Sequence, residues 1–413
     1  MNPNEEGHPV SANGAIQDVK PTVEELPATA QLSLLDRYLY VWIFACMVLG
    51  VLIGVFVPSI QNILDSAQLV GVSVPVAVGL LVMMYPVLAK VKYETIPSLI
   101  ASKHFVSYLA LSILLNWILA PALMAALAWA TLPDLPEYRA GLMLVGTARC
   151  IAMVLIWNKL AHGDAEWCAV LVAVNSILQV IFYGPLAYFY VVIVGQGPTL
   201  GIDMWLIFRS VLVFLGIPLV AGALTRLALR FSMRRSMTKE KWMATQARWY
   251  DDTFIPIIGP FALLGLLYTI VIIFALQGNA IIHNIGPVFR VVVPLLLYFG
   301  IVFISTIYIC ARLKVTFPVA LTQSFTAASN NFELALAVAI ATYGATSQVA
   351  LAATIGPLVE VPVLLGLVYV SKACKKYYPV VDEVSDETVD QDSTVESSIE
   401  IPHNRRVISM ESK

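Results

Sequence analysis

Four residues in otherwise apolar stretches carry the chemistry this sequence can offer: Arg149, Cys150, Glu333 and Glu360. A charged side chain placed within lipid is costly, so it normally faces a polar cavity and serves a function there. Desolvation and a nearby guanidinium act on a carboxyl in opposite senses, and a group caught between them is suited to proton exchange. Glu333 and Glu360 are therefore candidate proton-coupling residues, with the choice between them open. Arg149 stays charged and can act only as a fixed counter-ion or donor. An Arg–Glu pair that merely locks the fold is the structural alternative. Cys150 adjoins Arg149 in a stretch of small and backbone-competing residues, a setting that suits a sulfur ligand for soft, thiophilic partners. The other cysteines (Cys46, Cys168, Cys310 and Cys374) form no CxxC pair. Cys168, Cys310 and Cys374 fall at expected cytosolic span ends, so any sulfur ligation should be single and reversible. Asn330 lies three residues before Glu333, a spacing that shares a helix face. Asn116, Asn175, Gln179, Ser329 and Asn331 can add neutral hydrogen bonds to a hydroxylated substrate.

The elements that must position these residues are membrane helices. The chain of 413 residues is 59% apolar and 13% charged, against roughly 25% charged in soluble domains. A net charge of -2 gives no reason to expect a nucleic-acid partner; lipid is the expected solvent. Runs long enough to cross a bilayer fall near 38–57, 69–89, 105–130, 140–160, 167–193, 206–229, 254–276, 288–311, 317–342 and 347–371. With both termini in the cytosol, seventeen Lys and Arg residues near the spans lie inside, while Arg139, Arg209 and Arg290 lie outside. That bias sets orientation and agrees with an even number of spans. Residues 1–37 lack the basic and apolar regions of a cleaved signal, so the first span should act as its own insertion signal. Residues 1–37 and the acidic, Ser/Thr-rich 379–413 are expected to be disordered cytosolic extensions, and 230–253 the largest cytosolic loop.

Sliding the sequence on itself by 181 residues aligns it without gaps. Gly146-Thr147-Ala148-Arg149-Cys150 falls on Ala327-Ala328-Ser329-Asn330-Asn331, Gly163 on Gly344, Gln179 on Glu360 and Pro75 on Pro256. Each unit holds five spans, 38–193 and 194–378, so the second must insert inverted. Inverted repeats with discontinuous helices at the midplane are a transporter signature. The expected fold is thus an all-α integral membrane protein, with ten transmembrane helices in two inverted five-helix repeats. Spans four and nine should be discontinuous, at GTARC and AASNN. Span ten carries Gly356-Pro357 and Pro362, which remove helix hydrogen bonds. Broken backbone survives at membrane depth only where protein or water satisfies it, so a polar cavity is expected between spans four, five, nine and ten.

The stretches ARCIAMVLIWNKLAHGDAEWCAVLVAVNS (148–176), SNNFELALAVAIATYG (329–344) and GPLVEVPVLL (356–365) closely resemble the arsenical-resistance arsenite permease family, part of the bile acid/arsenite/riboflavin transporter superfamily. The likeness runs from about residue 36 to 378 and includes GVSVPVAVGLLVMM (71–84) and LNWILAPALMAALAW (115–129). It implies a plasma-membrane carrier that exports arsenite in exchange for protons; the sequence leaves open a vacuolar membrane as its site and antimonite as a second cargo. It further implies that Cys150 is the essential thiol, binding arsenic(III) as a thiolate, and that Glu333 and Glu360 match the family's buried acids. Arg149, Asn175, Phe325, Asn330 and Asn331 also fall on its motifs.

No GxxxxGK[ST] loop is present, so an ion gradient is the expected energy source and no cofactor is expected. No nucleophile–base or metal-ligand set argues for an enzyme. The nearest alternative is a sodium-coupled organic anion symporter of the same superfamily. The alternative from another class is a membrane sensor without transport activity.

Overall fold

The computed structural model describes residues 38–57, 59–64, 66–91, 105–196, 204–233 and 249–379. The expectations for 1–37, for all but the first residue of 379–413, and for most of the 230–253 loop lie outside the described residues, as do Lys92 and Lys103.

Apolar runs become helices because only a helix satisfies every backbone group within one segment. In chain order these are α1 (Leu39–Phe56), the short α2 (Ile60–Leu64), α3 (Val74–Ala89), α4 (Phe105–Leu114), α5 (Ala120–Thr131), α6 (Pro136–Thr147), α7 (Met153–Leu160) and α8 (Ala165–Tyr188). They continue as α9 (Met204–Val211), α10 (Ile217–Met233), α11 (Ile255–His283), α12 (Ile285–Arg312), α13 (Phe317–Ala328), α14 (Phe332–Tyr343) and α15 (Gln348–Lys375). A two-residue hairpin, β1 (Gln68–Leu69) with β2 (Val72–Ser73), precedes α3. Among the described residues, six continuous helical stretches are long and apolar enough to cross a membrane, and Val41–Phe56, Val74–Ala89 and Phe332–Tyr343 are shorter apolar helices. This is an all-α, multi-pass membrane protein.

Four wider π-turns interrupt these helices, at Leu115–Leu119, Phe189–Val194, Leu212–Gly216 and Tyr250–Phe254. In three of them a proline stands two residues beyond the turn (Pro121, Pro218 and Pro256). A proline ring cannot sit over the carbonyl four residues back, and one wide turn relieves that clash without ending the helix.

The helices sort into two groups. α11 packs along α1 and α3, and α10 along α3. Gly50 and Gly54 of α1 meet Ala275 and Gly278 of α11 so closely that an added Cβ would strike backbone, the small-residue contact that membrane helices favour. The other group holds α5, α6, α12, α13, α14 and α15 in mutual contact, with α8 against α13.

Arg139, in the first turn of α6, is buried: its guanidinium donates to Gly195, Leu132 and Pro133 carbonyls and stacks on Trp129. Two expectations need correction. α15 runs unbroken through Pro357 and Pro362, because neighbouring turns of a long packed helix absorb the lost bonds. Asn330 does not share a helix face with Glu333, since α14 begins only at Phe332.

Candidate functional site

α6 stops at Thr147 and α13 at Ala328, and in both cases the next residue is extended: Ala148 at φ -85, ψ 121 and Ser329 at φ -79, ψ 146. The two extended segments cross and pair as an isolated antiparallel bridge between Arg149 and Asn330. These two residues occupy the same place in the 181-residue register. Helix bounds follow that register too: α6 and α13 start and stop at matching positions, as do the starts of α3 and α11.

Hydrogen bonds repeat the correspondence. The Arg149 amide donates to Gln179 Oε1 at 3.0 Å, and the Asn330 amide to Glu360 Oε1 at 3.4 Å. The Asn331 amide donates to the Ala148 carbonyl at 3.1 Å. Asn330 Nδ2 reaches into the other segment, to the Val145 and Ala148 carbonyls at 3.0 and 3.2 Å, adding a second donor to carbonyls that also accept the Ala148 and Asn331 amides. Asn331 Oδ1 caps α14 through the Leu334 amide. Broken backbone at this depth is thus held by the Asn330 amide of the opposite segment, the Gln179 amide of α8 and the Glu360 carboxyl of α15.

The Arg149 guanidinium is fully buried and bonds to the Tyr298 hydroxyl (3.3 Å), the Ala327 carbonyl (3.4 Å) and the Gly146 carbonyl. Among the described residues it makes no ion pair with a carboxylate, so the structural Arg–Glu pair is not formed. It also turns away from the neighbouring thiol. Cys150, in the same break, is 2% exposed and lies within electrostatic reach of Glu360 and Glu333. Ser329 donates to Glu360 Oε1. Glu333, in the first turn of α14, is only half-buried.

Several polar atoms around the crossover are buried with no hydrogen-bond partner: Arg149 Nε, Asn175 Nδ2, Gln179 Nε2, Asn330 Oδ1 and Asn331 Nδ2. Buried groups are seldom left so, and four of these five are donors. Such a set fits a small solute carrying oxygen acceptors. Beside the crossover, a cavity of about 110 Å³ opens between α3, α11 and the start of α7, touching Ala152 and Met153 next to the break and Lys90 at its far end. The open space was expected between spans four, five, nine and ten. The cavity described lies instead on the α3–α11 side of the break.

Residues 77–284 match the model of the Sodium Bile acid symporter family. The Arsenical-resistance protein Acr3 of Corynebacterium glutamicum is 47% identical over 347 residues, covering 82% of this chain and 89% of that protein. The Arsenical-resistance protein Acr3 of Alkaliphilus metalliredigens is 31% identical over 356 residues (84% and 94%). An uncharacterized transporter of Synechocystis sp. is 30% identical over 373 residues (86% and 92%). The chain belongs to the arsenite permease family.

In this permease the structure gathers Arg149, Cys150, Gln179, Ser329, Asn330, Asn331, Glu333 and Glu360 at one crossover. Asn175 stands one layer out, accepting from Trp117 Nε1 at 3.1 Å. Asn116 bonds within its own helix to Ser112, and Phe325 packs edge-on against Phe303 of α12 at 4.8 Å. Neither of these two faces the break. Sequence reasoning missed Tyr298, whose hydroxyl bridges Arg149 and the Ala327 carbonyl. It also missed Tyr183, which donates to the Leu144 carbonyl near the end of α6. Both stand in apolar runs where a tyrosine reads as core, and only the fold brings them to the crossover.

Proposed function

We propose that the permease exports arsenite from the cytosol in exchange for protons, by alternating access of two inverted five-helix repeats (38–193 and 194–378) that make ten spans with discontinuous spans four and nine. Both termini face the cytosol and the plasma membrane is its site. The observation that carries this reading is one thiol and two carboxyls at the crossing of two broken helices, ringed by unpartnered amide donors. Arsenous acid is neutral, bears hydroxyl oxygens and reacts with thiols, and each property has a counterpart there. Arsenite enters from the cytosol and engages Cys150 with the amides of Asn175, Gln179 and Asn331. Proton binding at Glu333 or Glu360 from outside displaces it and resets the carrier. The names of the two relatives concerned with arsenical resistance support the cargo.

Arsenite-driven proton movement in everted vesicles tests the reading, compared between wild type and Glu360→Gln. Flux indifferent to an imposed pH gradient would remove the proton, and wild-type flux through Cys150→Ala would remove the thiol. The match to the Sodium Bile acid symporter family favours a second reading, sodium-coupled symport of an organic anion. Flux that follows a sodium gradient at constant pH would establish it instead.

A further inference from the structure

α12 turns two unlike faces to its surroundings. On the inner face Tyr298 reaches the crossover. On the outer face Leu297, Gly300, Ile301, Ile304 and Tyr308 line an apolar groove along the helix. Gly300 leaves the gap, since a Cβ there would meet nothing within 4 Å. The larger side chains around it stand between 43% and 60% exposed. Positions 300, 304, 308 and 312 recur every fourth residue and so share one helix face, which sets Arg312 at one end of the groove. Its guanidinium donates to the Tyr308 hydroxyl at 3.0 Å and lies 5.7 Å from the ring centroid.

The two ends of α12 differ in charge. Arg290, at the start, is bound to Asp134. At the other end Arg312 and Lys314 are exposed, and among the described residues no carboxylate pairs with either. Tyr378 donates to the Val315 carbonyl at 2.7 Å, and its ring packs on Phe317 at 4.9 Å. These contacts fix the end of α15 against the turn that follows Arg312, and that end adds the exposed Lys372, Lys375 and Lys376. Asp164 and Glu166 are the acids near this turn, where the Asp164 amide meets the Pro318 carbonyl. The Asp164 carboxylate is committed to capping α8. An excess of positive charge thus stands at one end of an apolar groove.

We propose that this face of α12 holds one anionic phospholipid, with an acyl chain along the groove and its phosphate at Arg312 and Lys314. The helix from Gly300 to Arg312 rises about 18 Å, close to the hydrocarbon depth of one leaflet, about 15 Å. A chain lying in the groove therefore brings its headgroup to the cations. The guanidinium offers paired donors to phosphate oxygens, and Lys314 adds a compact charge. A zwitterionic lipid makes the same contact with the groove but carries its own cation to a basic end, so charge selects the headgroup.

The test is photolabelling of the full-length permease in phosphatidylcholine nanodiscs, mapped by mass spectrometry. Trace phosphatidylserine and trace phosphatidylcholine, each with a photoactivatable acyl chain, are compared. Phosphatidylserine should label residues 296–308 about fivefold more than phosphatidylcholine does. Around Phe261, Leu264 and Tyr268, an exposed face of α11, the two should label alike. Added inorganic phosphate should leave the preference in place, because it has no chain for the groove. Arg312→Gln with Lys314→Gln should abolish the preference by removing the charge. Gly300→Leu should abolish it by filling the groove, with both charges kept. Equal labelling of 296–308 by the two lipids overturns the site, as does a preference that survives loss of both charges. A wild type without label at 296–308, whose oligomeric state changes in Gly300→Leu, assigns the groove to a second copy of the chain and overturns it too. None of these readouts depends on the cargo.

Discussion

Arg149 and Asn330, matched in the 181-residue register of the sequence, are bridge partners across the crossing of two broken helices. Asn330 contributes more than its backbone, because its amide nitrogen serves two carbonyls at the end of α6.

Replacing Asn330 by alanine should therefore cost about 2 kcal/mol, from two hydrogen bonds lost at buried carbonyls. Asn330→Asp should do no better, since an ionised carboxylate cannot donate to either. Thermal unfolding in detergent measures both, and a wild-type midpoint for Asn330→Ala would show that these bonds do not hold the crossover.

Gly356 of α15 lies against the Phe332 ring so closely that any added Cβ would enter the ring. Gly356→Ala should destabilise by about 1–3 kcal/mol, the usual cost of overpacking. Phe332→Leu in the same chain should return part of that loss, because two residues in contact couple. Purely additive midpoints would refute the contact.

At the end of the molecule away from Lys90, Gln277 Nε2 of α11 donates to the Ala345 carbonyl at 2.8 Å, in the turn between α14 and α15. This bond joins the two helix groups. Gln277→Leu keeps the volume and removes about 1 kcal/mol of hydrogen bonding, so that end should open more often. A cysteine placed at Ala345 should then react faster with a membrane-impermeant thiol reagent than in the Gln277 parent, and equal rates would count against the latch.

Arg290 of α12 makes a bidentate bridge to Asp134 at 2.6 and 2.7 Å, and reaches the Thr131 carbonyl. The arginine holds the Asp134 carboxyl down at about 2. A carboxyl lowered on folding adds stability above its unfolded pKa, about 4, and that contribution fades as pH falls toward the folded value. The difference in thermal midpoint between wild type and Arg290→Gln should be constant from neutral pH to about 5 and shrink on further acidification. Both groups are exposed, so the difference should be small and weakened by salt. A difference that grows on acidification would contradict the bridge.

Much of this architecture was legible in the residues. Hydropathy placed the helices because lipid leaves few other solutions, and the small, backbone-competing residues of GTARC and AASNN marked both breaks. The 181-residue register paired Arg149 with Asn330 before any contact was known. Side-chain direction was not legible. Arg149 turns to carbonyls and a tyrosine from α12, and that choice depends on a helix more than a hundred residues away. Arg139 read only as an outer charge beside a span, and its burial against carbonyls and Trp129 depends on neighbours the sequence does not reveal. Pro357 and Pro362 read as breakers although packing carried α15 past both.

Four helix termini meet at the crossover: α6 and α13 end there, α7 and α14 begin there. Each terminus carries about half an elementary charge of alternating sign, so the backbone contributes no net monopole and its field dies away within a few ångströms. An uncharged solute passing through feels neither a trap nor a barrier from the main chain. Discrimination between cargoes at this depth rests with the few side chains projecting from the break, which can be exchanged while the scaffold that presents them stays as it is.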